Sequence, residues 1–593
     1  MLPLPRFLVQ LAGWASSTQA TCRYIPGDAG WPDAQQWHHL NATVGGRLIA
    51  NVPLGQVCHD RGAFHAYNAT ACAKLGQAIM TEGAQTLQPR PGEVMNPYFQ
   101  NLACSPFTPV SRPCELGDSA VYSVNVSGPA DVQAGLKFAQ QNNVRLVIKS
   151  TGIDYMGKST GRGSLALWMY NLKTVEILDK YSSPFYSGSA VKLGSGVIAG
   201  EAYEAVSAAG YRIVAPECGL TGIVGGYTQG VGHSQLTTAY GLAADQVLEW
   251  ELVTPSGEYL VATPEQHEDL YWALSGGGGG TYGVVLSATV RAHPDGPVAG
   301  GTLVVENTNE TAFWEAVGIW FHQSPSFVEG SPNNVQFLVT NATLIVFAFV
   351  LPDQTTSAID TLLSSFLPEL RTRELPYHLT TSQSANYVES LVGAYGDLPY
   401  GNLCPNYPII SSRLIPRATV LNETSNAKLV DVFRTMTADG TWFIGCSVIN
   451  AGPDPAVRPP HPANAVHPAW RDAVAYCNPN RPWDFSDPAS SLAAKHRLVN
   501  DYFPAMEAAT PGSGVNLNEM DPLYRGDWKE AMYGPNYGRL LSIKHKHDPH
   551  RLMYAHFAVG ADEFTIDERG RVCDVGDASG SVPSSPWDGY REL

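Results

Sequence analysis

The residues best suited to chemistry gather in one stretch, Pro216 to Gly241. Six glycines, Gly219, Gly222, Gly225, Gly226, Gly230 and Gly232, surround Tyr227 and follow a single thiol, Cys218, before the run reaches His233. Such a stretch makes neither a good helix nor a good strand, because each glycine costs backbone entropy and brings no side chain to pack. What glycine permits is close approach of backbone amides to a flat or anionic ligand. Cys218 at its mouth offers a nucleophilic sulfur, and His233 either polarises the ligand or caps the loop. A second small-residue loop, Ser150 to Gly161, holds Thr151, Gly152, Asp154 and Gly157.

These loops need a frame. Val121 to Val126 alternates like a strand, Pro129 sits where a helix begins, Val132, Leu136 and Ala139 recur at helical spacing, and Asn142-Asn143 ends the run. Arg145 to Lys149 is a second strand that feeds the Ser150 loop, the position where α/β folds place ligands. Val191 to Gly196, a helix over Glu201 to Ala209, and Tyr211 to Val214 repeat that logic ahead of the glycine stretch. Val247 to Leu252 and Tyr259 to Val261, turned by Pro255-Ser256-Gly257, predict a half-buried hairpin. Gly278, Gly280 and Gly283 satisfy a dinucleotide fingerprint in letters only, since a helix precedes them and a strand, opening at Val284, follows; this excludes a nicotinamide site.

From about Gly300 the chain becomes strand-rich, with Gln336 to Thr340 and Thr343 to Phe349, and carries helical runs over Ala358 to Leu367 and Ala427 to Met436. The 593 residues, 44% of them apolar, support several buried cores, and a net charge of −17 excludes nucleic acid and anionic membranes as partners. Met1 to Ala20 reads as a secretory signal too short to anchor in a bilayer. Asn-x-Ser/Thr acceptors at Asn41, Asn68, Asn125, Asn309, Asn341 and Asn422, together with ten cysteines, agree with an exported, glycosylated protein whose neighbours such as Cys58 and Cys72 pair. No zinc spacing occurs, and His545, His547 and His550 read as solvated, so no metal is expected.

The order Cys218-x-x-x-Gly222-x-x-Gly225-Gly226-Tyr227-Thr228-Gln229-Gly230-x-Gly232-His233-Ser234, followed by Tyr240 to Gln246, resembles the flavin-binding segment of the berberine-bridge-enzyme-like FAD-linked oxidases, in the vanillyl-alcohol-oxidase superfamily. Trp272-Ala273-Leu274 with Gly276 to Gly280 resembles that family's second flavin loop. Tyr533 to Lys544, including Asn536 and Tyr537, resembles its closing segment. The resemblance implies an α+β fold: a discontinuous two-lobe FAD domain (117–298 and 506–593) around an inserted substrate domain (299–505), after a signal (1–20) and an N-terminal lead (21–116) of loops and short helices.

Many relatives hold FAD through a histidine and a cysteine. Here Ile153 stands at the histidine's place in Thr151-Gly152-Ile153-Asp154, and an alkyl group cannot bond the flavin; Cys218 matches the cysteine. One cysteinyl link, non-covalent FAD and a degenerate site all remain open. Asn516 to Asp521 resembles the segment facing the flavin ring and puts Glu519, with Asn518 beside it, at the catalytic base position. A carboxylate desolvated there would have a raised pKa and take a substrate proton as hydride leaves. The implied activity is oxidation of a small organic molecule with transfer to dioxygen, in fungal secondary metabolism, including oxidative cyclisation as in alkaloid pathways. An extracellular carbohydrate or alcohol oxidase, and a non-catalytic flavin-binding module, are the alternatives.

Overall fold

Four strands, two of them joined by a crossover helix, build the first sheet. In this computed structural model, which describes residues 21–100, 102–401 and 408–574, Tyr122–Asn125 and Leu146–Lys149 both pair in parallel with Leu165–Trp168. Leu48–Ala50 closes the far edge antiparallel. The parallel arrangement requires a crossover, supplied by helix Pro129–Gln141. Pro129 lies in its first turn, where a missing N–H is no loss, and Asn142 ends it. Val132, Leu136 and Ala139 are fully buried in one cluster with Leu165 and Leu167.

The second sheet is antiparallel, in the order Tyr259–Ala262, Val247–Val253, Val284–Arg291, Tyr186–Gly194, Val175–Ser183. It contains the expected hairpin, with Leu248, Trp250 and Leu252 buried. Glu249 and Glu251 on its other face are half-buried and bound, the first by the Tyr181 hydroxyl at 2.6 Å and the second by Lys192 at 2.6 Å. Helix Glu268–Leu274 precedes the glycine run and strand Val284–Arg291 follows it, the reverse of a nicotinamide-binding turn.

The third sheet has eight strands from the middle of the chain, with Asn334–Val339, Phe443–Val448 and Ala473–Pro482 adjacent at its centre. Helices Glu310–Val328 and Glu423–Thr437 pack together, the Asn426 side chain donating to the Gly318 carbonyl at 2.8 Å. The helical run read over Ala358 to Leu367 is two helices, Ser357–Leu362 and Phe366–Thr372. Ser364 breaks it, its hydroxyl donating to the Thr361 carbonyl at 2.7 Å, which gives the backbone an alternative to the helical ladder.

The region before residue 117 is more regular than its weak periodicity suggests. Helices Ala34–Thr43 and Ala69–Glu82 are capped by Asp33 and Asn68, and disulfides join Cys58 to Cys72 and Cys104 to Cys114. Thr21–Cys22 pairs with Val572–Asp574, and Cys22 is bonded to Cys573 across 551 residues. The signal read over Met1 to Ala20 lies outside the described residues.

Candidate active site

The Ser150 loop, the glycine stretch, the segment Asn516 to Glu519 and one face of the eight-stranded sheet surround a cavity of about 530 Å³. Each segment is held for a local reason. Asp154 shapes the first: its Oδ1 accepts from the Met156 and Gly157 amides at 2.9 Å each, and its Oδ2 from the Ser159 amide and hydroxyl at 2.7 Å each. The carboxylate is thus spent on its own loop. Gly157, at φ +73°, rests on the Phe99 ring.

Across from it the glycine stretch lies directly on this loop. A Cβ on Gly222 would come 2.8 Å from Ser150 Oγ, and one on Gly225 would come 3.2 Å from Ser150 Cβ. Beyond one short helical turn, Ile223–Tyr227, the backbone passes through Val231 at φ +90° and Gly232 at φ +69°. A β-branched residue in that conformation costs about 1–3 kcal/mol. Bonds from the Ala244 amide to the Val231 carbonyl (3.0 Å) and from the Ala243 amide to the Gly232 carbonyl (2.8 Å) hold it. This turn, strained at Val231, delivers His233 to the cavity, and the Tyr227 hydroxyl fixes the His233 carbonyl at 2.6 Å.

The turn Asn516 to Glu519 meets it from the C-terminal side. Asn516 Oδ1 accepts from the Asn518 amide (3.1 Å) and its carbonyl from the Glu519 amide (2.9 Å). The Asn518 side chain donates to the Gly230 carbonyl at 2.9 Å and to the Tyr227 carbonyl at 3.2 Å, clamping the glycine stretch. Glu519 Oε1 then lies 3.2 Å from His233 Nε2. Burial disfavours the charged imidazole, but the hydrogen bond it donates to Glu519 and the charges of Glu519 and Glu217 outweigh it and raise the His233 pKa above its ordinary value. Glu519 Oε2 and His233 Nδ1 are buried and have no hydrogen-bond partner among the described residues. Buried polar atoms are rarely left so, which marks these two as places for a ligand.

Of the residues singled out from the sequence, Thr151, Gly152, Asp154, Cys218, Gly222, Gly225, Gly226, Tyr227, Gly232, His233, Gly280, Asn518 and Glu519 line this one cavity. Gly157, Gly230, Gly278, Val284, Asn536 and Tyr537 do not line it. Gly230 packs on Asn518, and the Gly278 amide donates to the Gln229 carbonyl at 2.8 Å. Val284 is a buried strand residue, Asn536 donates to the Ala465 and Val466 carbonyls, and Tyr537 donates to Asp562. Cys218 is disulfide-bonded, its partner lying outside the described residues, so with that bond formed its sulfur cannot also bond a flavin. Ile153 lines the cavity with an alkyl side chain. Of the three histidines read as solvated, His545 pairs with Glu563 at 2.5 Å and His547 with Asp269 at 3.0 Å, while His550 is exposed.

Sequence reasoning missed Glu217, Gln229, Gln336, Tyr476 and Lys158, all in the lining. Lys158 makes no hydrogen bond among the described residues, and burial, partly offset by Asp154, lowers its pKa to about 8. Glu217 and Gln229, inside the glycine stretch, and Lys158, inside the Ser150 loop, carried a signal that could have found them; Gln336 and Tyr476 did not.

Together these walls fit a flavin. Gly226 has no atom within 4 Å of the place a Cβ would occupy, and a Cβ on Gly279 would come 3.3 Å from Gly226 Cα, so two loops that line the cavity meet there backbone to backbone. Gln229 Oε1 is a further buried acceptor with no partner among the described residues. Comparison with known proteins agrees. Residues 122–263 match the FAD binding domain family, and residues 514–559 the family described as berberine and berberine like. The chain belongs to the berberine-bridge-like, VAO-type family of FAD-dependent oxidoreductases.

Among its relatives, the bifunctional decalin synthase of Penicillium decumbens is 44% identical over 567 residues, covering 95% of this chain and 97% of that protein. The VAO-type flavoprotein oxidase VAO615 of Thermothelomyces thermophilus is 45% identical over 557 residues, covering 93% of this chain and 95% of that protein. A crystal structure of the VAO-type flavoprotein MtVAO615 from Myceliophthora thermophila C1 matches with a TM-score of 0.88 at 44% identity, over 93% of this chain and 100% of that one.

Proposed function

We propose that this protein oxidises a small organic substrate bearing an ionisable O–H or N–H, with dioxygen as the terminal acceptor, in the making of a fungal secondary metabolite. The observation that carries the reading is the Glu519–His233 pair, which presents one unpartnered carboxylate oxygen to a cavity of flavin-binding character. Bound FAD supplies the hydride acceptor. Glu519 Oε2 takes the substrate proton, His233 holds Oε1 and balances the charge, and Asn518 keeps the two segments in register. Phe443, Leu338, Phe347 and Tyr476 give the substrate side an apolar and aromatic wall, which suits a ring-bearing molecule. The names decalin synthase and oxidase borne by two relatives support the metabolic setting and the acceptor.

FAD is held without a covalent bond in this reading, since Ile153 and the disulfide-bonded Cys218 occupy the two attachment positions. The protein is exported and glycosylated: its disulfides favour an oxidising compartment, and Asn68, Asn309 and Asn422 stand at helix N-termini open to solvent. The test is anaerobic mixing of the yellow protein with a panel of alcohols, phenols, amines and sugars while flavin absorbance is followed. Bleaching by at least one, with peroxide formed on admitting air, is expected. A colourless protein that stays so with added FAD would sink the reading.

A further inference from the structure

Glu217 is 6% exposed and lines the cavity that holds Glu519 and His233. Its Oε1 accepts from Gln336 Nε2 at 2.8 Å. Gln336 is oriented in turn by a buried relay: its Oε1 accepts from the Tyr395 hydroxyl and from Gln235 Nε2 at 3.3 Å, and Gln235 also donates to Tyr395 at 3.0 Å and accepts from Tyr387 at 3.3 Å. Every member of the relay is neutral. Among the described residues the cationic group that acts most on Glu217 is His233, which is already paired with Glu519. The phenols of Tyr203, Tyr227, Tyr387, Tyr395 and Tyr476 also face the carboxyl, and none carries positive charge. A buried carboxylate without its own cation is costly, whereas a carboxylic acid whose carbonyl accepts from an amide is satisfied there.

We propose that in the FAD-filled cavity Glu217 is a carboxylic acid that donates a hydrogen bond to an acceptor oxygen of the substrate, a carbonyl or ether, while Glu519 accepts the proton released elsewhere on the same molecule. The substrate class narrows to compounds carrying both an oxidisable group and such an acceptor. Burial, with the Glu519 charge adding to it and with His233, the residue's own backbone amide and Gln336 opposing it, raises the Glu217 pKa, in the direction this assignment needs. Two carboxyl groups in one cavity thereby take opposite roles, set by what each is paired with. This rests on the oxidation proposed above.

Infrared spectroscopy of the holoenzyme tests it without a substrate. A protonated-carboxyl carbonyl band is expected at neutral pH that disappears in alkali, is absent in Glu217→Gln and persists in Glu519→Gln. Gln336→Leu, which withdraws the amide from Glu217 Oε1, shifts that band to higher frequency, so the assignment survives a poorly folding Glu217 variant. With a substrate from the panel, Glu217→Ala is expected to lower kcat/KM about ten- to a hundredfold, chiefly through KM, and Glu217→Gln, which keeps an N–H donor, to recover most of it. A band unchanged in Glu217→Gln, or wild-type kcat/KM in Glu217→Ala, overturns the proposal. Failure of every panel compound to bleach the flavin would remove the oxidation reading alone, and the infrared result would still decide the protonation of Glu217.

Discussion

Replacing Glu519 by glutamine isolates what its carboxylate does. The substitution is isosteric, and the new amide oxygen can still accept from His233 Nε2 at the observed 3.2 Å, so the Asn516 to Glu519 turn and the Asn518 clamp are expected to persist. What is lost is the unpartnered Oε2, which an amide nitrogen cannot replace as a proton acceptor. A positioned general base is worth about 10²–10⁴ in rate, or about 3–5 kcal/mol of barrier. Flavin bleaching measured by anaerobic stopped flow should slow by that factor while the visible spectrum of bound FAD stays unchanged. The same variant carries a stability signature. The His233 pKa is raised in the folded protein, so the pair stabilises the fold fully below the unfolded value of about 6.5, and that contribution is lost as pH climbs through the raised value. In Glu519→Gln the Glu519 charge no longer raises the pKa of the ring, and this fall in stability on the alkaline side should shrink in a series of melting curves. A variant that bleaches at more than a tenth of the wild-type rate would refute the assignment of Glu519 as base.

Other perturbations separate the parts of the site. Acid precipitation of the wild-type protein should leave all yellow colour in the supernatant, and Ile153→His, which restores a nitrogen at the cavity wall, should retain some in the pellet. Gly226→Ala meets no protein atom and should leave the melting temperature of the FAD-free protein unchanged while weakening FAD binding, read by fluorescence titration. Gly230→Ala, whose Cβ would fall 2.1 Å from Asn518 Oδ1, should instead destabilise the fold by about 1–3 kcal/mol in denaturant melts. Replacing Cys22 and Cys573 together by serine should cost about 4 kcal/mol, the upper part of the usual range, because the loop they close spans 551 residues.

Local elements were legible where local physics sets them. Pro129 and Asn142 bound a helix because each acts on its own backbone, and the alternation over Val247 to Leu252 survives because one face of that hairpin is buried. The inner half of the site was legible through glycines whose spacing reflects close backbone approach. The outer half was not. Gln336, Phe443 and Tyr476 reach the cavity only because adjacent strands of the eight-stranded sheet bring them to one face, and nothing in their neighbourhoods along the chain distinguishes them from other strand residues. Cys218 marks a different limit: its place in the motif matches a flavin ligand, and its bond to another cysteine depends on a contact the motif does not encode.

The pairing of Thr21–Cys22 with Val572–Asp574 also bears on how the molecule is made. On the ribosome Thr21–Cys22 emerges long before its mate exists, so its backbone groups stay without that partner until 551 more residues have been added. The same adjacency means that a covalent join near those two strands, with new termini cut in a distant surface turn, would let the pair form early.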